Sequence, residues 1–139
     1  MQQHIREEYG LMTPIAAAAV YTGVNILILL FLSFRVVGRR RAAQVSLGTG
    51  GDAELETRVR AHGNASEYIP AAMLGLFAAA SLGAPLWAVH AIGGVFTLGR
   101  VLHGFGLSAG VLAPRALGMV LTWLGMLGAG VAAIWLGLS

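Results

Sequence analysis

The sequence predicts an all-α membrane protein: a bundle of four transmembrane helices forming one domain over residues 1–139. Three observations carry this. Hydrophobic residues make up 57% of the chain and charged residues 11%, whereas a soluble domain carries about 25% charged residues, which excludes a water-soluble globule and equally a disordered chain. The uncharged residues fall in three long runs, and apolar backbone in lipid must pair its polar groups internally, so such runs span as helices. The net charge of +3 comes from arginine alone, and those arginines flank or interrupt the apolar runs, so the basic balance points to a membrane rather than to nucleic acid. The absence of cysteine removes disulfides, thiolate metal sites and a protein thiol nucleophile, so any thiol chemistry has to come from a small-molecule partner.

The first helix, about 12–37, covers the uncharged run Leu11–Phe34, which is enough for one crossing at about 20 residues. A cleaved signal peptide fits this run poorly: the preceding residues include Glu7 and Glu8 beside Arg6, and the run is far longer than a signal h-region. The uncharged run Tyr68–Gly99 is too long for one span and contains Ser81-Leu82-Gly83-Ala84-Pro85, a turn signal. Split there, neither half is long enough alone. The second helix, about 59–82, must begin near Arg60 and take in Asn64 and Glu67. The third, about 86–107, must take in Arg100 and His103. The fourth, about 115–137, covers Ala116–Ser139.

The arginine-rich connections set the orientation. The first contains or adjoins Arg35, Arg39, Arg40, Arg41, Arg58 and Arg60, and the third holds Arg115. The positive-inside rule puts both in the cytoplasm and both termini outside, with Trp87 and Trp135 at the outer interface. Antiparallel helices then deliver Arg60, Asn64, Glu67, Arg100 and His103 to one depth in one leaflet. Residues 60, 64 and 67 share a helical face, as do 100 and 103. Ionisable residues within spans face a bundle interior or a wet cavity. Eight arginines surround this level against Asp52, Glu54, Glu56 and Glu67, so the expected visitor is anionic, with Glu67 able to receive an ammonium.

Plainer roles compete for the same residues. Arg39–Arg41 also serve as topology signals and lipid-phosphate contacts. Glu67 with Arg60 or Arg100 could form a structural pair, Asn64 could be interhelical glue, and His103 and His90 could be hydrogen-bonded bundle histidines. His62 with His103 lacks the further ligands a metal shell needs, so no metal site is expected. Gly48-Thr49-Gly50-Gly51 lacks the Lys-Ser/Thr of a phosphate loop and reads as a connection. Ala71, Gly75, Ala79 and Gly83 form a small-residue row on the second helix, which fits either a homo-oligomer centred on that helix or packing within one protomer.

The run Arg60-Ala61-His62-Gly63-Asn64-Ala65-Ser66-Glu67-Tyr68-Ile69-Pro70 resembles the MAPEG superfamily, the membrane-associated proteins of eicosanoid and glutathione metabolism. Arg40-Arg41-Ala42-Ala43-Gln44-Val45-Ser46 and Gly99-Arg100-Val101-Leu102-His103 are similar to its first- and third-helix segments. The likeness covers nearly the whole chain and is closest to the small bacterial inner-membrane members. It implies one MAPEG-like domain, a homotrimer, and glutathione bound between subunits near the cytoplasmic face. By the same resemblance Arg40, Arg60, His62, Asn64, Glu67, Tyr68 and His103 fall on glutathione-binding positions, His62 from an adjacent subunit. Arg115 or Arg100 would hold the thiolate. A tyrosine of the eukaryotic enzymes is replaced by Leu107, and the register of Arg115 needs a gap.

The resulting expectation is a glutathione transferase or peroxidase that lowers the thiol pKa with nearby cations and meets a hydrophobic small-molecule or lipid substrate from the bilayer. The rival expectation is a non-catalytic protein holding an anionic lipid or metabolite in the same basic site. A small multidrug exporter would need a carboxylate in the first helix, and Leu11–Phe34 has none.

Overall fold

The computed structural model describes residues 12–139, and the reading of Arg6, Glu7 and Glu8 lies outside them. Four helices follow one another: α1 (Pro14–Ala43), α2 (Ala53–Ser81), α3 (Leu86–Ala109) and α4 (Leu112–Leu138), with no strand among the described residues. Two of them, α1 and α4, are long and apolar enough to cross a membrane by length and composition. The charges at one end of α2, and Arg100 with the histidines and glycines of α3, dilute those two helices.

The first connection is much shorter than the sequence predicts. α1 runs to residue 43 and α2 begins at 53, so residues 38–43 and 53–58 are helical. Apolar content marks where a membrane ends, whereas caps and pairs mark where a helix ends. At the start of α1 the Thr13 hydroxyl accepts from the Ala16 amide and Pro14 occupies the first turn. At its end Gln44 adopts a left-handed φ of 55° and turns its amide back onto the last turn. Asp52 then caps α2 by accepting from the Leu55 amide at 2.6 Å, with Glu54 and Glu56 in the first turn where the helix dipole favours them. Arg39 donates to both Asp52 oxygens, at 3.1 and 2.6 Å, and also pairs with Glu54. Its guanidinium, then the Leu55 amide, holds the Asp52 carboxyl below the usual carboxylate range.

The turn between α2 and α3 falls where the sequence predicts it. Gly83 takes a φ of 97°, and the Ala84 amide returns to the Ala79 carbonyl at 3.0 Å. Pro85 precedes the first turn of α3. α2 and α3 form the central pair, each touching the other three helices, while α1 and α4 do not meet among the described residues. Phe96, Leu76 and Val89 fill the middle with buried alanines around them.

Glycines set how closely α3 and α4 approach. A Cβ on Gly99 would lie 2.7 Å from the Thr122 amide nitrogen, and one on Gly125 would lie 2.6 Å from the Phe96 Cβ. Gly106 faces the Arg115 backbone and Gly118 faces that of His103. The seam therefore brings two backbones into contact, as small residues allow. The small-residue row of α2 is divided instead. Gly75 packs on Ala129 and Ala79 is buried, while Ala71 and Gly83 are exposed. An i+4 row drifts by about 40° per step around a helix, so two steps carry it from the exposed Ala71 to the buried Ala79, and Gly83 lies beyond the end of α2.

Candidate functional site

The charged end of the bundle holds an open cavity of about 670 Å³ between α2, α3 and α4. On α2 its lining follows helical spacing through Glu56, Arg60, Asn64 and Glu67. α3 contributes His103 and Leu107, and α4 contributes Arg115 and Met119, each pair one turn apart. Arg60, Glu67 and Arg115 are exposed at the rim, while His103 is buried. The cavity thus presents two guanidinium groups, two carboxylates and an imidazole around one space. That mixture can meet both signs of charge on one small molecule.

Arg100 stands behind this lining rather than in it. Only 2% of it is exposed. Both terminal nitrogens donate to the Asn64 Oδ1 at 3.0 Å, and the guanidinium sits 5.7 Å from the Tyr68 ring centroid, a cation–π arrangement. Its Nε is buried and has no hydrogen-bond partner among the described residues. Asn64 has therefore committed its carbonyl oxygen to Arg100, and its amide N–H groups are what it can offer to the cavity. Arg100 acts on this space through Asn64.

His103 is held by the glycine seam. Its Nδ1 lies 3.2 Å from the Arg115 carbonyl oxygen. A carbonyl can only accept, so Nδ1 carries the proton and Nε2 of the neutral ring keeps a lone pair. The same contact ties the α3 imidazole to the first turns of α4, where Arg115 sits. Val111, before α4, makes no side-chain cap, and the exposed helix start favours negative charge beside Arg115.

Five of the residues singled out in the sequence, Arg60, Asn64, Glu67, His103 and Arg115, line this one cavity, and Arg100 with Tyr68 forms the wall behind Asn64. Two lie elsewhere. Arg40 donates to the Gly48 carbonyl at 2.8 Å and so closes the α1–α2 connection. His62, half-buried, is outside the lining. Glu56, counted in the sequence only among the acids at this level, joins the lining. It sits one turn before Arg60 on the same face, but beyond a helix start placed at 59.

Comparison with known proteins bears on this arrangement. The MAPEG family model matches residues 18–135. The chain belongs to the MAPEG family. Two relatives agree, both the inner membrane protein YecN, from Escherichia coli strain K12 and from Escherichia coli O6:H1. Each is 37% identical over 118 residues, covering 85% of this chain and 90% of the relative. This MAPEG chain is accordingly a membrane protein of that family, and the match spans all four helices together with every residue of the cavity lining.

Proposed function

We propose that this MAPEG protein binds glutathione in the cavity between α2, α3 and α4 and uses it, as a transferase or peroxidase, against hydrophobic electrophiles from the bilayer. The observation that carries the reading is the meeting of Arg60, Asn64, Glu67, His103 and Arg115 around one space of about 670 Å³, within the roughly 300–1,000 Å³ typical of small-molecule sites. Glutathione has two carboxylates, one ammonium and one thiol. Arg60 and the Asn64 amide suit a carboxylate, Glu67 or Glu56 suits the ammonium, and Arg115 at the start of α4 suits a thiolate. The thiol gives up its proton to the His103 Nε2 or to water. The thiolate then attacks the electrophilic carbon while the leaving group departs with the bond's electrons. Holding both reactants in one place supplies much of the acceleration.

The setting belongs to the same proposal. The protein lies in a bacterial inner membrane with four spans, both termini outside the cytoplasm, and three copies around α2. The test is direct: purified protein mixed with glutathione should show thiolate absorbance and conjugate a generic aryl halide. Absence of both signals removes the enzyme reading.

One observation favours the second reading, a non-catalytic protein holding an anionic lipid or metabolite in this cavity. Leu107 lines it where the resembling eukaryotic enzymes have a tyrosine. Thermal stability separates the two. Glutathione raises the melting temperature under the first reading, and only an anionic lipid does so under the second.

A further inference from the structure

On the other side of Arg100, between α1 and α3, lies a second cavity of about 350 Å³ that shares no lining residue with the first. Its walls are apolar, from Ile28, Phe31 and Leu32 on α1 and Val101 and Phe105 on α3. Phe31, Val101 and Phe105 are at least half exposed, so the groove opens sideways from the bundle. Its charged residues are both arginines. Arg35 stands at the mouth, bound to the Ser108 hydroxyl and lying over the Phe31 ring. Arg100 stands at the deep end, its Nε buried and unpartnered. Among the described residues no carboxylate lines the groove.

Depth orders these groups. Arg35 is the first charge after the uncharged run of α1, so it marks the boundary between apolar and polar levels, and Ser108 meets it from the end of α3. Arg100 lies eight residues earlier on α3, about 12 Å along the axis, with a side chain long enough to recover part of that distance. The groove is therefore a greasy slot running inward from a cation at headgroup level to a second cation below it.

We propose that this groove seats one acyl chain of an anionic phospholipid, its phosphate on Arg35 and an ester carbonyl accepting from Arg100. The two positive groups and the missing acid select an anion. The lateral opening admits a chain from the bilayer, and the volume, near the bottom of the usual pocket range, suits one chain. The inference stands apart from glutathione.

Gly104 offers a clean way to close the slot. A Cβ there would meet only the Leu32 Cδ2, at 3.9 Å, so a side chain can start from this position without its Cβ pressing on backbone, and Gly104→Leu is chosen to fill the groove. Native mass spectrometry of the delipidated wild type, titrated with phosphatidylglycerol and separately with phosphatidylcholine of the same chains, reads the site. The expected result is one phosphatidylglycerol per protomer, held about tenfold more tightly than phosphatidylcholine. Gly104→Leu should lose that binding, and Arg35→Gln should bring the two lipids level. Circular dichroism establishes that each variant is folded. Should Gly104→Leu not fold, Val101→Trp, at the groove's open edge, takes its place. Equal retention of both lipids by the wild type overturns the proposal. So does undiminished phosphatidylglycerol binding in a folded, filled groove. Disulfide dimers from Val101→Cys, in a chain with no other cysteine, would show that a second copy covers the groove instead.

Discussion

Arg100 is buried with no carboxylate partner among the described residues, its guanidinium engaged by the oxygen of Asn64 and the face of Tyr68. An unpaired buried cation costs several kcal/mol of desolvation, and its hydrogen bonds recover only part of that. Substitution by a long apolar side chain should therefore leave stability unchanged or improved. It should also free Asn64 to turn. Arg100→Met is expected to keep or raise the melting temperature while weakening glutathione binding by about tenfold or more. A thermal melt and a calorimetric titration on the same sample check both halves, and a large fall in melting temperature would show that Arg100 stabilises the fold. The rim residues behave differently because they are exposed. Arg60→Ala and Glu67→Ala should each change stability by less than about 0.5 kcal/mol and raise the glutathione Kd by roughly 10- to 100-fold, the value of a charge-assisted hydrogen bond. Most of this site was legible in the sequence, because helical spacing and antiparallel topology alone bring 60, 64, 67 and 103 to one level. The division of labour was not. Nothing in the spacing says that Arg100 faces Asn64 rather than the ligand space, since that depends on which way a long side chain turns.

At the level of helices, the α3–α4 seam fixes the site, for it brings His103 to the Arg115 carbonyl. Gly99→Val or Gly125→Val should push the pair apart and cost about 1–3 kcal/mol by overpacking, whereas Gly130→Ala, with nothing within 4 Å of its Cβ, should be neutral or stabilising by about 0.5–1 kcal/mol. Melting temperatures of the three variants rank the positions, and equal effects would mean the seam is not close-packed. The glycines of α4 are visible in the sequence, but their partners on α3 emerge only when the two helices are set side by side. Helix ends teach a similar lesson. The Asp52 cap and the acidic first turn were there to be read, yet hydropathy drew the boundary at 59. That cap also carries a pH dependence. Asp52 has its carboxyl held below the ordinary range by Arg39 and the Leu55 amide, so its contribution is present above the unfolded carboxylate value of about 3.9 and is lost as pH falls through the lower folded value. Melts between neutral pH and pH 3 should show a loss in the wild type that Asp52→Asn, already deprived of the pair, shows to a smaller extent.

The single chain leaves one side of the cavity between α2, α3 and α4 open. Glu67 belongs both to the cavity lining and to an exposed line on α2 that continues through Pro70, Ala71, Leu74 and Phe77. Leu74 is 74% exposed. A neighbouring copy laid along that line would cover the cavity at Glu67, turning an open notch into an enclosed one where electrostatic contacts strengthen. This is the physical argument for the proposed trimer, and it separates α2 from the outer faces of α1 and α4, whose exposed Leu27, Phe34, Leu127 and Ile134 suit lipid. Leu74→Trp discriminates between the two surroundings. Lipid accepts a tryptophan in place of a leucine, so a lipid-facing position should leave assembly untouched. A close helix interface does not accept it, because small residues such as Ala71 allow near contact only while their neighbours stay within the available space. The expected outcome is a trimer of wild-type chains by native mass spectrometry in mild detergent, a shift of Leu74→Trp towards monomers with its helix content intact, and a parallel loss of glutathione affinity, since each cavity loses its cover. Trimers that survive Leu74→Trp with full glutathione binding would place the interface elsewhere and leave the notch open to the membrane.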